Sequence, residues 1–334
     1  MKKLGILGLV VALTAIAFAL YRFRDTDAER IVVKLVPGPP QPKIPLAEAG
    51  IDPAAVQLAV DYAGKHATSA LVIGRNGHIV FEKYWDETTL DTLLPMSGFG
   101  RVLPALLVGS AMNDRLVVNL DEPVSSYLPE LADKPAGSDT LRDLLAERTR
   151  DTYAPPELLA LVLERITKQP YETIVSERLW KPIGGGDLSF DRNGPIEIRA
   201  NEAACCGVSA RISDWMRIGE LLANDGVFEG NQFTPPRYVQ LMLKPTHKDS
   251  PIGFGVNVGT TFAAADVAWL RSSWGQRLWV VPSLRLVILR VGAGPDESDG
   301  WDEAMIPDNI IRGTSGWKPR SAGEGVDPKK FAPH

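Results

Sequence analysis

Ser97 and Arg101 lie four residues apart, immediately before the almost wholly apolar run Val102–Met112. If this stretch is helical, a spacing of four places both side chains on one face. A serine hydroxyl becomes a nucleophile once a base removes its proton, and an arginine beside it could orient or stabilise an anion. Because arginine keeps its proton in essentially all protein settings, Arg101 could not be that base.

Pro104 argues against this arrangement. Proline lacks an N–H and clashes with the preceding helical turn, so the helix is expected to begin near Val102 or Leu103. The segment Gly98-Phe99-Gly100 is then a flexible loop, in which preorganised catalytic geometry is not expected. Ser97 is therefore better interpreted as an ordinary polar loop residue than as a nucleophile.

Other reactive residue types are sparse among the 334 residues. Cys205 and Cys206 are adjacent and are expected to be buried and inert, because a disulfide between neighbours strains the backbone. The four histidines are too scattered to provide metal ligands, so neither a metal nor a cofactor is predicted. A net charge of −5 without a basic stripe excludes a nucleic-acid role.

A membrane segment is predicted at the N-terminus. The predominantly apolar run Leu4–Leu20 reaches the short end of the membrane-spanning range, roughly 17–25 residues, and exceeds a usual signal-peptide core of about 7–15 residues. Arg22 and Arg24 disfavour cleavage after Ala17-Phe18-Ala19. An uncleaved anchor over residues 1–24 is the first interpretation, a cleaved signal the second and a buried helix the third. Basic residues on both sides leave its orientation undecided.

The two flanks of the globular part differ in composition. Residues 25–46 contain closely spaced prolines, which favour extended geometry and predict a stiff spacer that lifts a domain off the membrane. Residues 313–334 are polar and contain few apolar side chains, which predicts a disordered tail. The domain itself is expected over residues 47–312.

Strand signals at both ends of this domain bracket a helical middle. Asp52-Pro53 predicts a helix start, and Asn76-Gly77 between two apolar runs predicts a hairpin. Further helices are predicted over Val102–Met112, Leu141–Glu147, Pro156–Ile166 and Ser213–Ala223. Later strands are predicted over Gly253–Val258, Arg277–Val281 and Leu284–Val291. The pattern indicates an α+β fold, in which both chain ends complete one antiparallel sheet flanked by helices, with an inserted helical subdomain.

Five segments in the right order resemble the class C β-lactamase-related serine hydrolases. This group also includes D-alanyl carboxypeptidases, esterases and aminohexanoate-oligomer hydrolases. The segments are Leu71–Val80, Leu106–Glu130, Glu177–Gly184, Gly207–Gly226 and the last strands from Trp274 to Arg290. The resemblance spans residues 50–312 and implies the β-lactamase/transpeptidase-like fold of the penicillin-recognising serine hydrolases.

The family's chemistry requires a serine at the start of a buried helix and a lysine three residues later. A desolvated lysine can be neutral enough to take the serine proton. Counting back from Leu106, the resemblance places the serine position on Gly98 and the lysine position on Arg101. Glycine supplies no nucleophile and arginine no base, so the resemblance implies a catalytic centre that has lost its Ser-x-x-Lys motif.

The resemblance also assigns residues to the substrate cleft. Tyr153 matches the tyrosine of the family's Y-S-N motif, but its neighbours are alanine and proline, so it is either a base or a packed wall. Only seven residues separate Leu145 from Tyr153, where the family implies dozens, so a wall of the cleft should be missing. The edge strand carries Arg271-Ser272-Ser273, with a serine in place of the family's glycine, and this side chain should narrow the cleft. Trp274 and Gln276 are also assigned to the cleft, with a core tryptophan as the alternative for Trp274.

These observations predict a membrane-anchored pseudoenzyme whose domain faces the periplasm or the cell exterior. It would act as a ligand-binding or scaffolding module for a small acylated or cell-wall-like ligand. The alternative is an active hydrolase of ester or amide bonds that uses Ser97 with Tyr153. The loss of function at Gly98 and Arg101 favours the first hypothesis.

The anchor generates the first testable prediction. Full-length protein should fractionate with membranes and resist alkaline extraction, because its apolar segment is long enough to span the bilayer. A shortened chain that begins at Ala47 should remain in the soluble fraction. Recovery of a mature protein that begins at Leu20 would instead establish a cleaved signal.

Overall fold

The computed structural model describes residues 29–96, 98–150, 154–192, 207–247, 250–259, 262–272, 275–294 and 300–319. The predicted anchor over residues 1–24 and the pair Cys205-Cys206 lie outside these ranges. Within the described ranges, no helix has both the length and the apolar character needed to cross a membrane.

Strands towards both ends of the chain flank a middle that is mostly helical. The helices are α1 (Pro53–Gly64), α2 (Val102–Asn113), α3 (Leu141–Leu145), α4 (Pro155–Thr167), α5 (Tyr171–Val175), α6 (Ile212–Ala223), α7 (Pro236–Met242) and α8 (Met305–Arg312). The strands are β1 (Glu29–Val33), β2 (Thr68–Arg75), β3 (His78–Tyr84), β4 (Leu93–Pro95), β5 (Leu188–Arg192), β6 (Val208–Arg211), β7 (Val227–Phe228), β8 (Asn231–Gln232), β9 (Asn257–Val258), β10 (Ala268–Arg271), β11 (Arg277–Val281) and β12 (Leu286–Gly292).

A six-stranded antiparallel sheet in the order β3-β2-β12-β11-β10-β9 organises the domain. The early strand β2 pairs with the last strand β12, and Ile73 lies opposite Ile288. Because side chains alternate along a strand, Leu71 and Ile73 face a core formed with α1 and α8. Ala70 and Val72 face the opposite core, formed with α2 and α6. The predicted antiparallel sheet, completed by both chain ends and flanked by helices, is confirmed.

Local signals act largely as predicted. The Asp52 carboxylate caps α1 by accepting a hydrogen bond of 2.9 Å from the Ala54 N–H. Asn76 and Gly77 both have positive φ angles, +52° and +80°, as a tight hairpin turn requires. Helix α2 begins at Val102, which leaves Pro104 in its first turn.

The predicted strand over Gly253–Val258 is shorter in the structure, where only Asn257–Val258 pair as a strand. Gly255 has a φ of +65°, which breaks the extended conformation. A Cβ atom on Gly255 would lie 2.8 Å from the Arg101 carbonyl oxygen, so this turn packs directly on the start of α2.

A smaller four-stranded sheet has the order β1-β5-β6-β4. Its first strand belongs to the predicted proline-rich spacer, and β1 pairs with β5 along its full length, from Glu29 opposite Arg192 to Val33 opposite Leu188. On one face of this sheet, Phe190 and Val208 are buried in the core.

Residues 34–45, which we name the strap, continue from β1 across the surface of the domain. Gly38 N–H donates to Gly184 O at 2.9 Å, and Ile44 N–H donates to Ile79 O at 3.2 Å. The buried Arg217 side chain donates to the carbonyl oxygen of Pro39. The structure therefore differs from the predicted spacer over residues 25–46, because N–H and carbonyl groups of this segment are hydrogen-bonded to the domain.

The predicted disordered tail over residues 313–334 also begins as part of the domain. Ser315 N–H donates to Gly50 O at 2.8 Å, and Arg75 donates to Ser315 O at 2.7 Å. Trp317 packs against the core that contains α1 and α8. Residues 320–334 lie outside the described ranges.

The docked strap predicts that removal of residues 25–46 destabilises the domain. Compared with a chain that begins at Asp25, a chain that begins at Ala47 should lose at least about 2 kcal/mol of unfolding free energy. The reason is that an unpaired buried donor such as Arg217 alone costs about 1–3 kcal/mol. Urea unfolding of the two chains measures the difference, and equal midpoints with equal slopes would contradict the docking.

Candidate active site

The turn before α2 holds the position at which the resemblance expects a nucleophile. Phe99 N–H donates to Met96 O at 2.9 Å, and Val102 N–H donates to Phe99 O at 3.1 Å. The Phe99 ring is fully buried and meets Trp215 edge to face at 5.2 Å between ring centroids. The segment Gly98–Gly100, predicted as a flexible loop, is therefore a hydrogen-bonded turn anchored by an aromatic contact.

Gly98 lies against the edge strand of the large sheet. Its φ is +90°, a conformation that favours glycine. A Cβ atom on Gly98 would lie 2.6 Å from the carbonyl oxygen of Arg271 and 3.4 Å from Ser272 Cα. The two backbones are thus in contact at the position of the family's nucleophile, and a serine side chain at residue 98 would have no room.

Arg101, at the position of the family's lysine, forms an ion pair with Glu147. Nη1 of Arg101 lies 2.7 Å from Oε1 of Glu147, and the two side chains are 17% and 22% exposed. Glu147 follows α3 and has a φ of +55°. An ion pair of this kind holds the guanidinium in its charged form, so Arg101 takes no proton from a hydroxyl group.

Ser272 and Gln276 stand at the ends of the turn between β10 and β11. Both are buried, and their side chains are hydrogen-bonded to each other. Ser272 N–H also donates to Gln276 O at 3.1 Å. Arg277 donates to the carbonyl oxygen of Ser272 at 3.2 Å and forms an ion pair with Glu303 at 2.6 Å. These contacts tie the end of β10 to the start of β11.

Arg271 itself is exposed, with its guanidinium carbon 6.0 Å from the centroid of the Trp269 ring. The structure therefore brings Gly98, Arg271 and Ser272 together at one junction, with Arg101 one helical turn away. Ser97, Tyr153, Ser273 and Trp274, the other residues predicted for the site, lie outside the described residues.

Sequence reasoning missed Glu147. This residue was predicted as the end of a helix over Leu141–Glu147, whereas the helix ends at Leu145 and Glu147 lies in the seven-residue connection between Leu145 and Tyr153. One signal in the sequence could have indicated it. Arg101, a cation at the position of the family's lysine, needs an acidic partner, and Glu147 lies in the short link after α3. Glycine-like backbone geometry at Glu147 could not be inferred from its residue type.

Comparison with known proteins identifies the class of fold. No protein-family model matches the sequence, and no curated protein matches it either. A protein from Bacillus anthracis assigned as a 6-aminohexanoate-dimer hydrolase superposes with a TM-score of 0.63 at 18% identity, over 82% of this chain and 88% of that one. A class C β-lactamase from Rhodobacter sphaeroides gives 0.60 at 14% identity, over 78% and 99%. FmtA from Staphylococcus aureus gives 0.60 at 15% identity, over 87% and 96%.

These likenesses cover most of the chain. The protein has the penicillin-recognising serine hydrolase fold shared by β-lactamases, penicillin-binding-protein homologues, carboxylesterases and aminohexanoate-dimer hydrolases. The fold predicted from the five sequence segments is thereby confirmed.

The contact at Gly98 predicts a large cost for restoring a serine. Gly98→Ser should lower the unfolding free energy by about 2–5 kcal/mol, because backbone strain of about 1–3 kcal/mol adds to an overpacking term of similar size. Gly230→Ser is the matched control, since Gly230 has a φ of +80° but has no atom within 4 Å of an added Cβ. It should cost only about 1–2 kcal/mol.

Urea unfolding of the wild type and both variants distinguishes two effects. One is backbone strain at a positive φ, and the other is steric overlap between the added side chain and the edge strand. A Gly98→Ser loss no larger than the Gly230→Ser loss would show that residue 98 does not touch the edge strand.

Proposed function

We propose that this protein is a non-catalytic member of the β-lactamase-related fold, tethered to a membrane, that serves as a ligand-binding or scaffolding module. The observation that carries the proposal is the backbone contact between Gly98 and the Arg271 carbonyl group. It occupies the space in which a nucleophile of this fold would stand.

Covalent acyl transfer needs a nucleophile, a base that can lose its proton, and room for the substrate carbonyl group. Gly98 offers no oxygen, and its neighbour Arg271 leaves no space for one. At the base position, Arg101 is paired with Glu147 at 2.7 Å and stays charged. Each of the three requirements is therefore unmet at the position that the fold uses.

The contacts on the edge strand add to this argument. In acyl transfer, backbone N–H groups beside the nucleophile commonly stabilise the developing oxyanion. Here the N–H of Ser272 is bonded to Gln276 O, and the carbonyl oxygen of Arg271 points at Gly98. A carbonyl oxygen in that position would repel an oxyanion.

The membrane tether is proposed from the apolar run Leu4–Leu20. Because β1 begins at Glu29, about five residues join the end of the apolar segment's basic flank to the folded domain. At about 3.3–3.6 Å per residue, this link spans at most about 18 Å. The domain would lie close to the bilayer surface, on the periplasmic or exterior side, rather than at the end of a long stalk.

The ligand class is proposed by analogy with the fold. The structural relatives include an aminohexanoate-dimer hydrolase and a β-lactamase, whose names refer to compounds with amide bonds. A small acylated or cell-wall-like compound is the corresponding ligand for a module that binds without cleavage.

Covalent labelling tests the proposal. Full-length wild type, Ser97→Ala and Tyr153→Phe are incubated with a fluorophosphonate and with a penicillin, and intact mass is recorded. No adduct should form on any of the three, because loss of members of a catalytic unit lowers turnover by up to about a millionfold.

A stable adduct on wild type that is absent from Ser97→Ala would overturn the proposal. It would establish the alternative, an active ester or amide hydrolase with Ser97 as nucleophile. Loss of that adduct in Tyr153→Phe as well would assign the tyrosine to the same mechanism.

A further inference from the structure

A cavity of about 550 Å³ lies where the strap crosses the domain. Its walls are the strap, the edge strand β3, the loop before β4 and the start of α6. Gly98, Arg101, Arg271 and Ser272 are not among the residues that line it. Its volume falls within the range of about 300–1,000 Å³ that is usual for small-molecule sites.

The formal charges of the residues that line this cavity sum to zero. Three cations, Lys43, Arg211 and Arg217, face three anions, Glu82, Asp91 and Asp214. Two of the cations already have partners within the protein. Lys43 forms an ion pair with Glu82, and Arg217 donates to the carbonyl oxygens of Ile183 and Pro39.

Arg211 is largely buried, and its guanidinium donors are not hydrogen-bonded within the described part of the chain. Its side chain is only 17% exposed, and it lies flat over Gly186, where an added Cβ would fall 1.1 Å from Nη2. Asp91 and Asp214 each approach the guanidinium at 3.6 Å, beyond hydrogen-bonding distance. Among the described residues, no acceptor is hydrogen-bonded to this side chain. A guanidinium presents a fork of N–H donors that matches a carboxylate.

Asp214 is the acidic counterpart, and only 1% of its surface is exposed. Its Oδ1 accepts from the Gly186 N–H at 3.2 Å, whereas no donor within the described residues is hydrogen-bonded to Oδ2. Burial raises the pKa of the Asp214 carboxyl group, an effect opposed by the Gly186 N–H and by Arg211. Asp91, on the other side of Arg211, is 80% exposed and free to rotate.

We propose that this cavity binds a small zwitterion of the amino-acid or short-peptide kind. The ligand carboxylate would pair with Arg211, and its ammonium group would lie between Asp91 and Asp214. A ligand of a single sign would meet three groups of its own sign in the cavity, whereas a zwitterion matches both. Ile79 and Leu90 in the cavity wall provide an apolar surface for a side chain. This proposal does not depend on whether the catalytic centre is active.

Isothermal titration of the full-length protein in detergent with glycyl-leucine tests this proposal. Saturable binding is expected, and it should weaken at least tenfold for N-acetylglycyl-leucine, which lacks the ammonium group, and for glycyl-leucinamide, which lacks the carboxylate. Arg211→Gln and Asp91→Asn should each weaken the binding of glycyl-leucine at least tenfold. Arg142→Gln is the matched control, because its ion pair with Asp121 lies on the surface outside the cavity wall, and it should leave affinity unchanged.

Absence of saturable binding, or equal affinity for the capped and uncapped dipeptides, would overturn the proposal. So would an Arg211→Gln variant that keeps its thermal transition and binds as the wild type does. If Arg211→Gln does not fold, Asp91→Asn decides the question, since its exposed side chain has no part in the core. The labelling experiment on Ser97 is read independently of these titrations.

Discussion

The contact between Gly98 and the Arg271 carbonyl oxygen is the constraint on which the site depends. It is made by two backbones, so no rotation of a side chain can open it. Phe99, buried against Trp215, fixes the turn on one side, and the hydrogen-bonded turn at Ser272 fixes the strand on the other. A serine hydrolase must admit a substrate carbonyl group to within about 3–3.5 Å of its nucleophile. Here an added Cβ on Gly98 would meet the Arg271 carbonyl oxygen at 2.6 Å, and the proposed loss of catalysis rests on this lack of space.

Buried arginines stabilise the irregular segments around the large sheet. Arg290 is fully buried, and it donates to the carbonyl oxygens of Gly275 and Ala293, each at 2.8 Å. Burial lowers the pKa of Arg290 to about 10, which leaves it charged at neutral pH. Arg217 is also buried, and it binds the strap in the same way. Because an unpaired buried charge is costly, each such arginine requires its chain segment to stay in place.

Local signals explain what the sequence could predict. Asp52, Asn76-Gly77 and Pro104 act within a few residues of themselves, and the elements they delimit were found where expected. The docking of the strap was not predictable, because it depends on hydrogen-bond partners more than a hundred residues away, such as Gly184 and Arg217. Prolines indicate an extended chain, and they do not distinguish a solvated chain from one bound to a surface. The pairing of Arg101 with Glu147 was missed for the same reason, since it depends on where α3 ends in space.

The strap also links the proposed ligand site to the stability of the domain. Strap residues form one wall of the polar cavity, so a ligand held there contacts both the strap and β3. A ligand that binds only the docked form stabilises that form by about 2.7 kcal/mol at a concentration one hundred times its Kd. Linkage is reciprocal, so docking of the strap must in turn raise the affinity of the cavity for that ligand. β1 and the strap follow the predicted membrane segment in the sequence. A ligand in the cavity would therefore also strengthen the attachment of the domain to the part of the chain next to that segment.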